Sequence, residues 1–389
     1  MNKQTIDYIR AHARDDVRTL ALRKMPEGVD ASEALQQIEG RQLAARKLPT
    51  WAANEELLWP KRLSMEQCSS EEAAAYKADI IDRFKAEDDI FIDLTGGFGV
   101  DFATIARRFR HSIYVERDAA LCKIAAHNFA LLGITDFDVV NDTAETVIER
   151  LPDALRARII ILIDPARRDN AGRKTVLIED CTPDVCALQE RLRAVAKIVV
   201  VKLSPMLDIT AAIRAIKGVS EVHTVSIGGE CKEVLLVVGQ EVAEPVIHCC
   251  GLRFTQSEEQ NAMPEYADEL GTWLYEPNAA ILKAGMLKTI AIRFGVRKLS
   301  PMSHLYTSDK LIEDWPGKRF PVTAWTGFSK KELRTLLQGI SCADLTVRGF
   351  PQTTATLRKQ LRLREGGPVH LFATTLADGR HIMVKSLSV

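Results

Sequence analysis

Residues 88–101 read DDIFIDLTGGFGVD, and this stretch decides the fold class. Its first half, residues 88–94, is a short apolar run typical of a buried strand. The segment 95–99 that follows contains three glycines, which lack a Cβ and let the backbone turn tightly and approach a ligand closely. Helical spacing of apolar residues begins at about residue 100. The stretch therefore predicts a strand, a tight loop and a helix, the repeating unit of a parallel α/β sheet.

Four more apolar strands follow, separated from one another by amphipathic helices. Strands are predicted at 112–117, 137–142, 158–164 and 197–203, and helices near 100–109, 118–132, 143–151, 183–195 and 208–217. Several strands are continuous Ile/Val runs, as expected when helices cover both faces of a parallel sheet. EVHTVSI and EVLLVVG flank the turn segment GGECK and predict an antiparallel hairpin that closes the sheet. The predicted fold class is α/β with a doubly wound sheet, whose ligand lies at the carboxyl ends of the strands.

Local signals predict where two helices begin. Thr182 and Pro183 suit the N-cap and the first position of the helix 183–195. Ser69 and Glu72 have the spacing of a capping box and predict a helix start near the end of the N-terminal region.

The chain is predicted to divide into four parts. The first is helical, the second holds the doubly wound sheet, the third is a small α+β unit, and the fourth alternates strands and helices. Their predicted bounds are 1–75, 76–240, 241–317 and 318–389.

Acidic residues close successive strands of the predicted sheet: Asp93, Glu116, Asp142 and Asp164. A dinucleotide site would need G-x-G-x-x-G instead of the G-G-x-G found here, and Asp93 would repel its pyrophosphate. S-adenosylmethionine has no phosphate, and its ammonium and sulfonium cations are favoured by carboxylates. Two alternatives stay open, since Asp142 could cap the helix from residue 143 and Asp93 could orient the amides of the loop.

Four motifs at these strand ends resemble those of class I methyltransferases over residues 76–240. They read DLTGGFG, VER, ND and DPAR, and the form DL-x-x-G-x-G is typical of RNA methyltransferases within that class. The resemblance implies a Rossmann-like methyltransferase sheet that binds S-adenosyl-L-methionine. The cofactor-binding residues that it implies are Asp93, Thr95, Gly96, Gly97, Gly99, Glu116, Arg117, Asp142 and Asp164.

The whole chain also resembles the bacterial methyltransferases with a THUMP-like domain. The segment RGFPQTTATLRKQLRLREGGPVHLFATTLADGR, residues 348–380, carries that part of the resemblance. In that group a ferredoxin-like unit and a C-terminal THUMP-like module follow the catalytic domain, so the resemblance implies the same order here.

The segment after the fourth strand, DPARRD at residues 164–169, is predicted to meet the acceptor. It differs from the [DNS]PP[YFW] motif of enzymes that methylate exocyclic amines, and it resembles the motif of 5-methyluridine RNA methyltransferases. Carbon-5 chemistry needs a thiolate, whereas the segment after the fifth strand reads KLSP and has no cysteine. The covalent route is therefore disfavoured. The predicted catalytic residues are Asp164, Arg167 and Lys202, with Lys202 either contacting substrate or forming an ion pair at the sheet edge.

The net charge of zero conceals a basic C-terminal end. Residues 318–389 carry twelve Lys/Arg and four Asp/Glu, a net charge of +8, whereas residues 241–317 carry seven and eleven, a net charge of −4. A strongly basic end favours a polyanionic partner, and a solvated basic surface is the alternative. With the motifs, this predicts an RNA substrate, tRNA or rRNA. The predicted substrate-binding residues are Arg167, Arg168, Arg173, Lys174, Arg348, Arg358, Lys359 and Arg362.

Composition excludes several other classes of protein. No run of about 18 apolar residues is present, so no membrane span is expected. The eight cysteines are scattered and form no C-x-x-C or zinc-site spacing, so we expect no metal and a cytoplasmic location. Two other functions stay open: a methyltransferase for a small molecule or a protein, and a non-catalytic RNA-binding protein that retains the fold.

Overall fold

The computed structural model describes residues 1–167 and 178–387, with Arg167 described by its backbone alone. Three predicted substrate-binding residues, Arg168, Arg173 and Lys174, lie outside the described residues. The chain divides into two compact units. Unit 1 comprises Met1–Ser220 and Val234–Val242, and unit 2 comprises Glu221–Glu233 and Ala243–Val389.

Six helices form the N-terminal part of unit 1: α1 (Lys3–Ala11), α2 (Val17–Ala21), α3 (Ala31–Lys47), α4 (Pro49–Ala52), α5 (Arg62–Gln67) and α6 (Glu71–Asp82). The prediction that Ser69 caps the last of these is wrong by one residue. Ser70 is the N-cap of α6, and its side chain accepts from the Ala73 amide at 3.2 Å. The side chain of Ser69 instead donates to Asp101 at 2.7 Å. Local spacing could not distinguish the two adjacent serines.

The doubly wound sheet of unit 1 follows the N-terminal helices. Its elements are β1 (Ile90–Asp93), α7 (Val100–Ala106), β2 (His111–Val115), α8 (Ala119–Leu131), β3 (Phe137–Val140), α9 (Ala144–Arg150), β4 (Ile159–Ile163), β5 (Ala166–Arg167), β6 (Cys181–Thr182), α10 (Val185–Val195), β7 (Ile198–Leu203) and α11 (Ile209–Ala215), followed in the chain by β8 (Val219–Ile227) and β9 (Glu230–Val238). Residues 221–227 of β8 belong to unit 2, whereas residues 234–238 of β9 belong to unit 1. The strand order in unit 1 is β9–β7–β4–β1–β2–β3. β1 pairs in parallel with both β2 and β4, and β9 pairs antiparallel with β7. These pairings confirm the predicted fold class.

The strand order reverses at β1, which has β2 on one side and β4 on the other. Ligands of doubly wound sheets bind at such a reversal, at the carboxyl ends of the strands. All five residues of β4 are buried, and each fully buried Ile or Leu side chain contributes about 1.5–3 kcal/mol. The predicted acids Asp93 and Asp164 come at the ends of the two central strands β1 and β4, and are therefore held at this edge by a rigid core.

The predicted start of α10 is wrong. Asp184 is its N-cap, and the carboxylate accepts from the Ala187 amide at 3.0 Å. Thr182 lies in β6 and pairs with Ala166 of β5, so its backbone is committed to that short ladder. The Thr182–Pro183 peptide bond is cis.

Unit 2 contains the remaining elements. They are β10 (Val246–Cys249), β11 (Leu252–Phe254), α12 (Gln256–Asn261), β12 (Trp273–Pro277), α13 (Ala279–Ala284), α14 (Thr289–Phe294), β13 (Arg297–Lys298), β14 (Tyr306–Ser308), β15 (Gly317–Pro321), β16 (Ala324–Gly327), α15 (Lys330–Leu336), β17 (Asp344–Val347), α16 (Thr354–Leu361), β18 (Val369–Thr375) and β19 (His381–Leu387). Two four-stranded sheets have the orders β13–β14–β12–β15 and β16–β19–β18–β17. The strand predicted at 320–325 is broken between them. The Val322 amide donates to Thr272 and the Thr323 amide to Lys385, because the chain crosses here from one sheet to the other.

The second sheet of unit 2 has a hydrophobic cluster on each face. On one face Phe372, Ile382 and Val384 pack with residues of the first sheet, including Leu274 and Phe320. The other face packs against α15 and α16, and the buried cluster there consists of Leu333, Ala343, Leu345, Leu357, Leu363, Leu371, Ala373 and Met383. The outer sides of α15 and α16 therefore face solvent. Among the described helices, none is long and apolar enough to cross a membrane.

Candidate functional site

A cavity of about 620 Å³ opens at the carboxyl ends of the unit 1 strands. Its size is typical of a small-molecule site. The cavity is lined by all nine predicted cofactor-binding residues and by the predicted catalytic residue Lys202. The wall thus contains the glycine loop between β1 and α7 and the four acids that end or follow the strands.

The glycines of the loop are required by packing as well as by the turn. A Cβ on Gly96 would lie 2.1 Å from the Tyr114 ring, and a Cβ on Gly99 would lie 2.5 Å from the Phe129 ring. Gly97 and Gly99 have φ values of +55° and +88°, which L side chains rarely adopt. From the sequence, these glycines are explained by a tight turn and close ligand approach, and the aromatic rings are an additional cause that the pattern did not reveal.

Asp93 is buried at the end of β1 and accepts from the Thr95 amide at 3.0 Å. The alternative that Asp93 orients a loop amide is therefore part of its role. Burial, with the nearby acids Asp101 and Asp164, raises the pKa of this carboxyl to about 8, although the Thr95 amide and Lys202 act in the opposite direction. A cation bound in the cavity would favour the ionised carboxylate, so the chemistry of this wall fits a cationic ligand.

Glu116 holds the second half of the loop. Its carboxylate accepts from the Gly97 amide at 2.9 Å and from the Asp118 amide at 2.8 Å. Each carboxylate oxygen has two acceptor positions, so the group can still accept from a ligand hydroxyl. Glu116 therefore both fixes the loop and presents acceptors to the cavity.

Asp142 lines the cavity next to the start of α9. Its carboxylate accepts from the Thr143 amide at 2.8 Å and lies 3.2 Å from Arg150. The N-cap of α9 is Thr143, whose hydroxyl accepts from the Thr146 amide. The alternative that Asp142 caps this helix is therefore wrong.

Lys202 and Asp164, at the ends of the neighbouring strands β7 and β4, form an ion pair that lines the cavity. The Lys202 Nζ lies 2.6 Å from Asp164 Oδ2 and 3.8 Å from Asp101 Oδ2. The Asp164 amide donates to the Thr95 hydroxyl at 2.6 Å, which ties this wall to the glycine loop. The Asp164 side chain is about 40% exposed, so it is the member of the pair that solvent and ligands can reach.

Sequence reasoning missed three polar residues that complete this wall. Lys77 of α6 is fully buried, and its Nζ lies 3.2 Å from Asp101 Oδ1 and 3.1 Å from Ser69 Oγ. Burial raises the pKa of Asp101, but Lys77, Lys202 and Ser69 outweigh it and bring that pKa below its usual value. Asp101 resembles an ordinary first-turn acid of a helix, and nothing local connects residues 69 and 77 to the strand ends. No sequence signal could have identified them.

The thiol of Cys68 also lines the cavity. Burial raises its pKa, so the thiol stays protonated at neutral pH. A protonated thiol is a weaker nucleophile than a thiolate, so burial disfavours a covalent role for this cysteine.

The predicted substrate-binding residues of unit 2 fall into two groups. Arg348 is held by Glu276, with nitrogen–oxygen distances of 2.7 and 3.0 Å, and Arg358 donates to the Ala343 carbonyl at 3.0 Å. Lys359 and Arg362 are exposed at the C-terminal end of α16. The predicted role in substrate binding therefore applies most directly to Lys359 and Arg362, because they are exposed.

Comparisons with known proteins agree with the geometry. Family models match residues 273–316 as a ferredoxin-like domain and residues 317–385 as a THUMP-like domain. A crystal structure is known for a Porphyromonas gingivalis W83 protein to which methyltransferase activity is attributed. Its fold matches that of this chain with a TM-score of 0.84, and the two sequences are 32% identical. That match covers 99% of this chain and 97% of the other.

Two curated relatives come from strains of Mycobacterium tuberculosis. Each is named an uncharacterized S-adenosylmethionine-dependent methyltransferase and is 26% identical over 307 residues. The alignment covers 74% of this chain and 77% of the relative.

Proposed function

The chain belongs to the S-adenosylmethionine-dependent methyltransferases with ferredoxin-like and THUMP-like domains, and on that premise we propose that it methylates a nucleotide of structured RNA, tRNA or rRNA. S-adenosylmethionine supplies a methyl group on a sulfonium, which makes the transfer an in-line displacement. Positioning and exclusion of water therefore account for most of the catalysis. This chain's residues must hold the cofactor in the unit 1 cavity and present an acceptor atom to it.

Cofactor binding is assigned to the wall formed by the glycine loop and the acids. Asp93, Glu116 and Asp142 supply acceptors for the cationic amino acid part, the ribose hydroxyls and the adenine amine, respectively. Asp164, the exposed member of the Lys202 pair, accepts a hydrogen bond from the group to be methylated. Lys202 holds the Asp164 carboxylate in position, and a nitrogen or oxygen acceptor fits this arrangement better than a carbon that needs a thiolate.

The basic outer side of α15 and α16 is the observation that carries the RNA assignment. The exposed cations there are Lys330, Lys331, Arg334, Lys359 and Arg362, which we call the basic face. In residues 1–167 and 178–387, no ion pair is found for any of them. Unneutralised cations on one helical layer favour phosphates, because binding releases the counterions of the nucleic acid. Few aromatic side chains accompany them, which favours recognition of a folded RNA by shape and phosphate contacts.

Transfer of label from radioactive S-adenosylmethionine to total RNA of a strain lacking this gene tests the proposal. We expect the wild-type protein to label RNA, and the labelling to fall as salt rises. The Asp93→Ala variant should lose cofactor binding and labelling together. The double variant Lys359→Gln/Arg362→Gln should bind the cofactor normally and label RNA more weakly.

The matched control is Arg23→Gln/Lys24→Gln, which removes two exposed cations from the loop between α2 and α3. It should label RNA as the wild type does, so that a loss in the α16 variant reflects position and not net charge. Measurable cofactor binding without label in RNA would contradict the proposal and favour a small-molecule or protein substrate. A labelling rate that does not depend on salt would point the same way.

A further inference from the structure

Three side chains that bind metals meet at one face of the strands β8 and β10 in unit 2. Glu221 and His223 lie two residues apart on β8 and therefore project from the same face. His248 of β10 is the parallel register partner of His223. Within residues 1–167 and 178–387, this is the one group of three His, Cys, Asp or Glu residues whose ligand atoms cluster tightly enough to hold an ion.

The ligand atoms of this group lie close together. Glu221 Oε2 lies 2.8 Å from His223 Nε2 and 3.7 Å from His248 Nε2, and all three ligand atoms lie within 4.8 Å of one another. The imidazole rings stack with centroids 4.3 Å apart and planes 8° from parallel. The side chains of Glu221, His223 and His248 are 17%, 3% and 19% exposed, so the group is largely withdrawn from water.

We propose that Glu221, His223 and His248 form a binding site for a divalent transition metal, of which zinc is the representative ion. Zinc binds His nitrogens at about 2.0–2.1 Å and carboxylate oxygens at about 2.0–2.2 Å, which places ligand atoms of a tetrahedral site about 3.3–3.5 Å apart. The two measured distances from Glu221 lie on either side of that spacing. The stacked rings already share Glu221 Oε2 as a neighbour, and metal binding would require the imidazole rings to rotate until their nitrogen lone pairs converge on one ion.

The donor set selects the class of ion. Two imidazoles and one carboxylate suit zinc, iron, nickel and copper, whereas magnesium and calcium prefer sites made of oxygen alone. With neutral imidazoles the three ligands carry one negative charge, which a divalent ion overcompensates. A fourth position stays available for water or another ligand, as in the zinc sites that have two His and one Glu.

A metal ion bound at this site would cross-link β8 and β10. The three ligands come from two strands, and the ladder brings together residues 223 and 248, which are far apart in the chain. Binding of an ion to the folded arrangement alone would stabilise it by mass action. The sequence led us to expect no metal, because zinc sites were sought by spacing along the chain. Strand register, and not sequence spacing, creates this group.

The test uses the full chain, stripped with a chelator and then titrated with zinc chloride. We expect about one zinc per chain after gel filtration, and a midpoint of thermal unfolding that rises with zinc. His248→Gln, at the most exposed of the three positions, should retain no zinc and show no rise. Glu221→Gln keeps the shape and hydrogen-bonding capacity of the side chain but is a much weaker ligand, and it should behave in the same way.

The control is His111→Gln, which alters a histidine beside the carboxylates of Asp136 and Asp138 in unit 1. This variant should bind zinc as the wild type does. The metal-free variants are compared with metal-free wild type, so that a folding defect is recognised by a lower midpoint without zinc. Absence of bound zinc in the wild type would overturn the proposal, as would equal zinc in the wild type and in either folded site variant. The assay does not depend on any RNA substrate, so its outcome is separate from that of the proposed function.

Discussion

At the scale of single residues, the cavity of unit 1 contains two carboxyls, Asp93 and Asp101, whose neighbouring charges differ. Asp93 is buried with other acids nearby, and its pKa is raised to about 8. Asp101, whose side chain is 13% exposed, lies near Lys77 and Lys202, and its pKa falls below the usual value. The pKa values of two carboxyls within one wall are thus shifted in opposite directions by the neighbouring charges. Ligand charge and pH should therefore act mainly through Asp93.

We predict that cofactor affinity rises with pH through Asp93. Below about pH 8 the carboxyl of the cofactor-free protein is largely protonated, and a bound cation favours its ionised form, so binding releases a proton. The dissociation constant should fall by up to about tenfold per unit between pH 6 and 8 and then level off. Calorimetric titration in buffers of different ionisation enthalpy measures both effects. Asp93→Asn should remove the pH dependence, and an unchanged slope in that variant would assign the proton to another group.

The Asp93 carboxyl should make the stability of the cofactor-free protein fall with pH, whereas it makes cofactor affinity rise. Its pKa is about 8 in the folded protein against a reference of 3.8, so the folded state binds more protons than the unfolded state between those values. Its contribution to the free energy of unfolding should therefore fall as pH rises from about 4 to 8. Denaturation of the cofactor-free proteins across this pH range should show that the free energy of unfolding falls less steeply in the Asp93→Asn variant than in the wild type. An identical pH profile in the two proteins would contradict the assignment.

Removal of the buried amine of Lys77 should be costly. Lys77→Met leaves the largely buried Asp101 with one nearby cation fewer, and breaking a buried pair in this way costs about 3–5 kcal/mol. Lys217→Met is the matched control, because Lys217 and its partner Glu190 are 69% and 71% exposed. That change should cost less than about 1 kcal/mol. Urea denaturation measures both values, and equal losses would show that the Lys77 pair contributes no more than a surface pair.

At the scale of elements, the loop between β1 and α7 joins three functions in one short segment. Its backbone turns at glycines, its amides are held by Asp93 and Glu116, and its glycines pack against Tyr114 and Phe129. The aromatic rings therefore limit where the backbone of the loop can lie, and the loop amides are part of that backbone. We therefore expect packing and cofactor binding to be coupled at this element.

Gly96→Ala should therefore weaken cofactor binding as well as stability. Its Cβ would overlap the Tyr114 ring, and overpacking of this kind costs about 1–3 kcal/mol while displacing the loop. The control is Gly133→Ala, where φ is +76° but nothing lies within 4 Å of the new Cβ. We expect that control to lose about 1–2 kcal/mol of stability and to bind the cofactor normally. The measurement is the binding isotherm of S-adenosylmethionine for each variant. Normal cofactor affinity in Gly96→Ala would show that the packing of Gly96 against Tyr114 does not affect cofactor binding.

At the scale of the whole molecule, the two candidate functions lie in different units. Every residue that lines the cofactor cavity belongs to unit 1, and the basic face belongs to unit 2. The two sheets and the helical layer of unit 2 share hydrophobic clusters, so its ferredoxin-like and THUMP-like parts are joined by a continuous core. The cavity and the basic face thus lie in different units.

A fragment of residues 1–242 tests this separation. It contains the complete cofactor cavity, so its dissociation constant for S-adenosylmethionine should stay within about twofold of the full chain, and binding itself reports that the fragment is folded. Labelling of RNA should be lost with the basic face. The full chain assayed in parallel is the control. A folded fragment that labels RNA at the full rate would place RNA recognition in unit 1.

The sequence by itself determined the class of fold, the cofactor and the wall that should bind it. Strand periodicity, glycine turns and acids at strand ends are local signals, and the carboxyl ends of parallel strands necessarily meet at one edge. This is why the order of strands and helices along the chain is sufficient to place Asp93, Glu116 and Asp164 on one wall, together with Asp142. Local signals failed by one or two residues at helix starts, where Ser70 and Asp184 cap instead of Ser69 and Thr182.

Only the tertiary structure decided which distant side chains meet. The ion pair of Lys77 with Asp101, the rings that exclude a Cβ at Gly96, and the register that sets His223 beside His248 all join segments separated in the chain. Such contacts depend on how helices and strands pack, and no periodicity or spacing within one element encodes them. The physical reason is that backbone and turn preferences act over a few residues, whereas charge pairing, packing and ligation act through space.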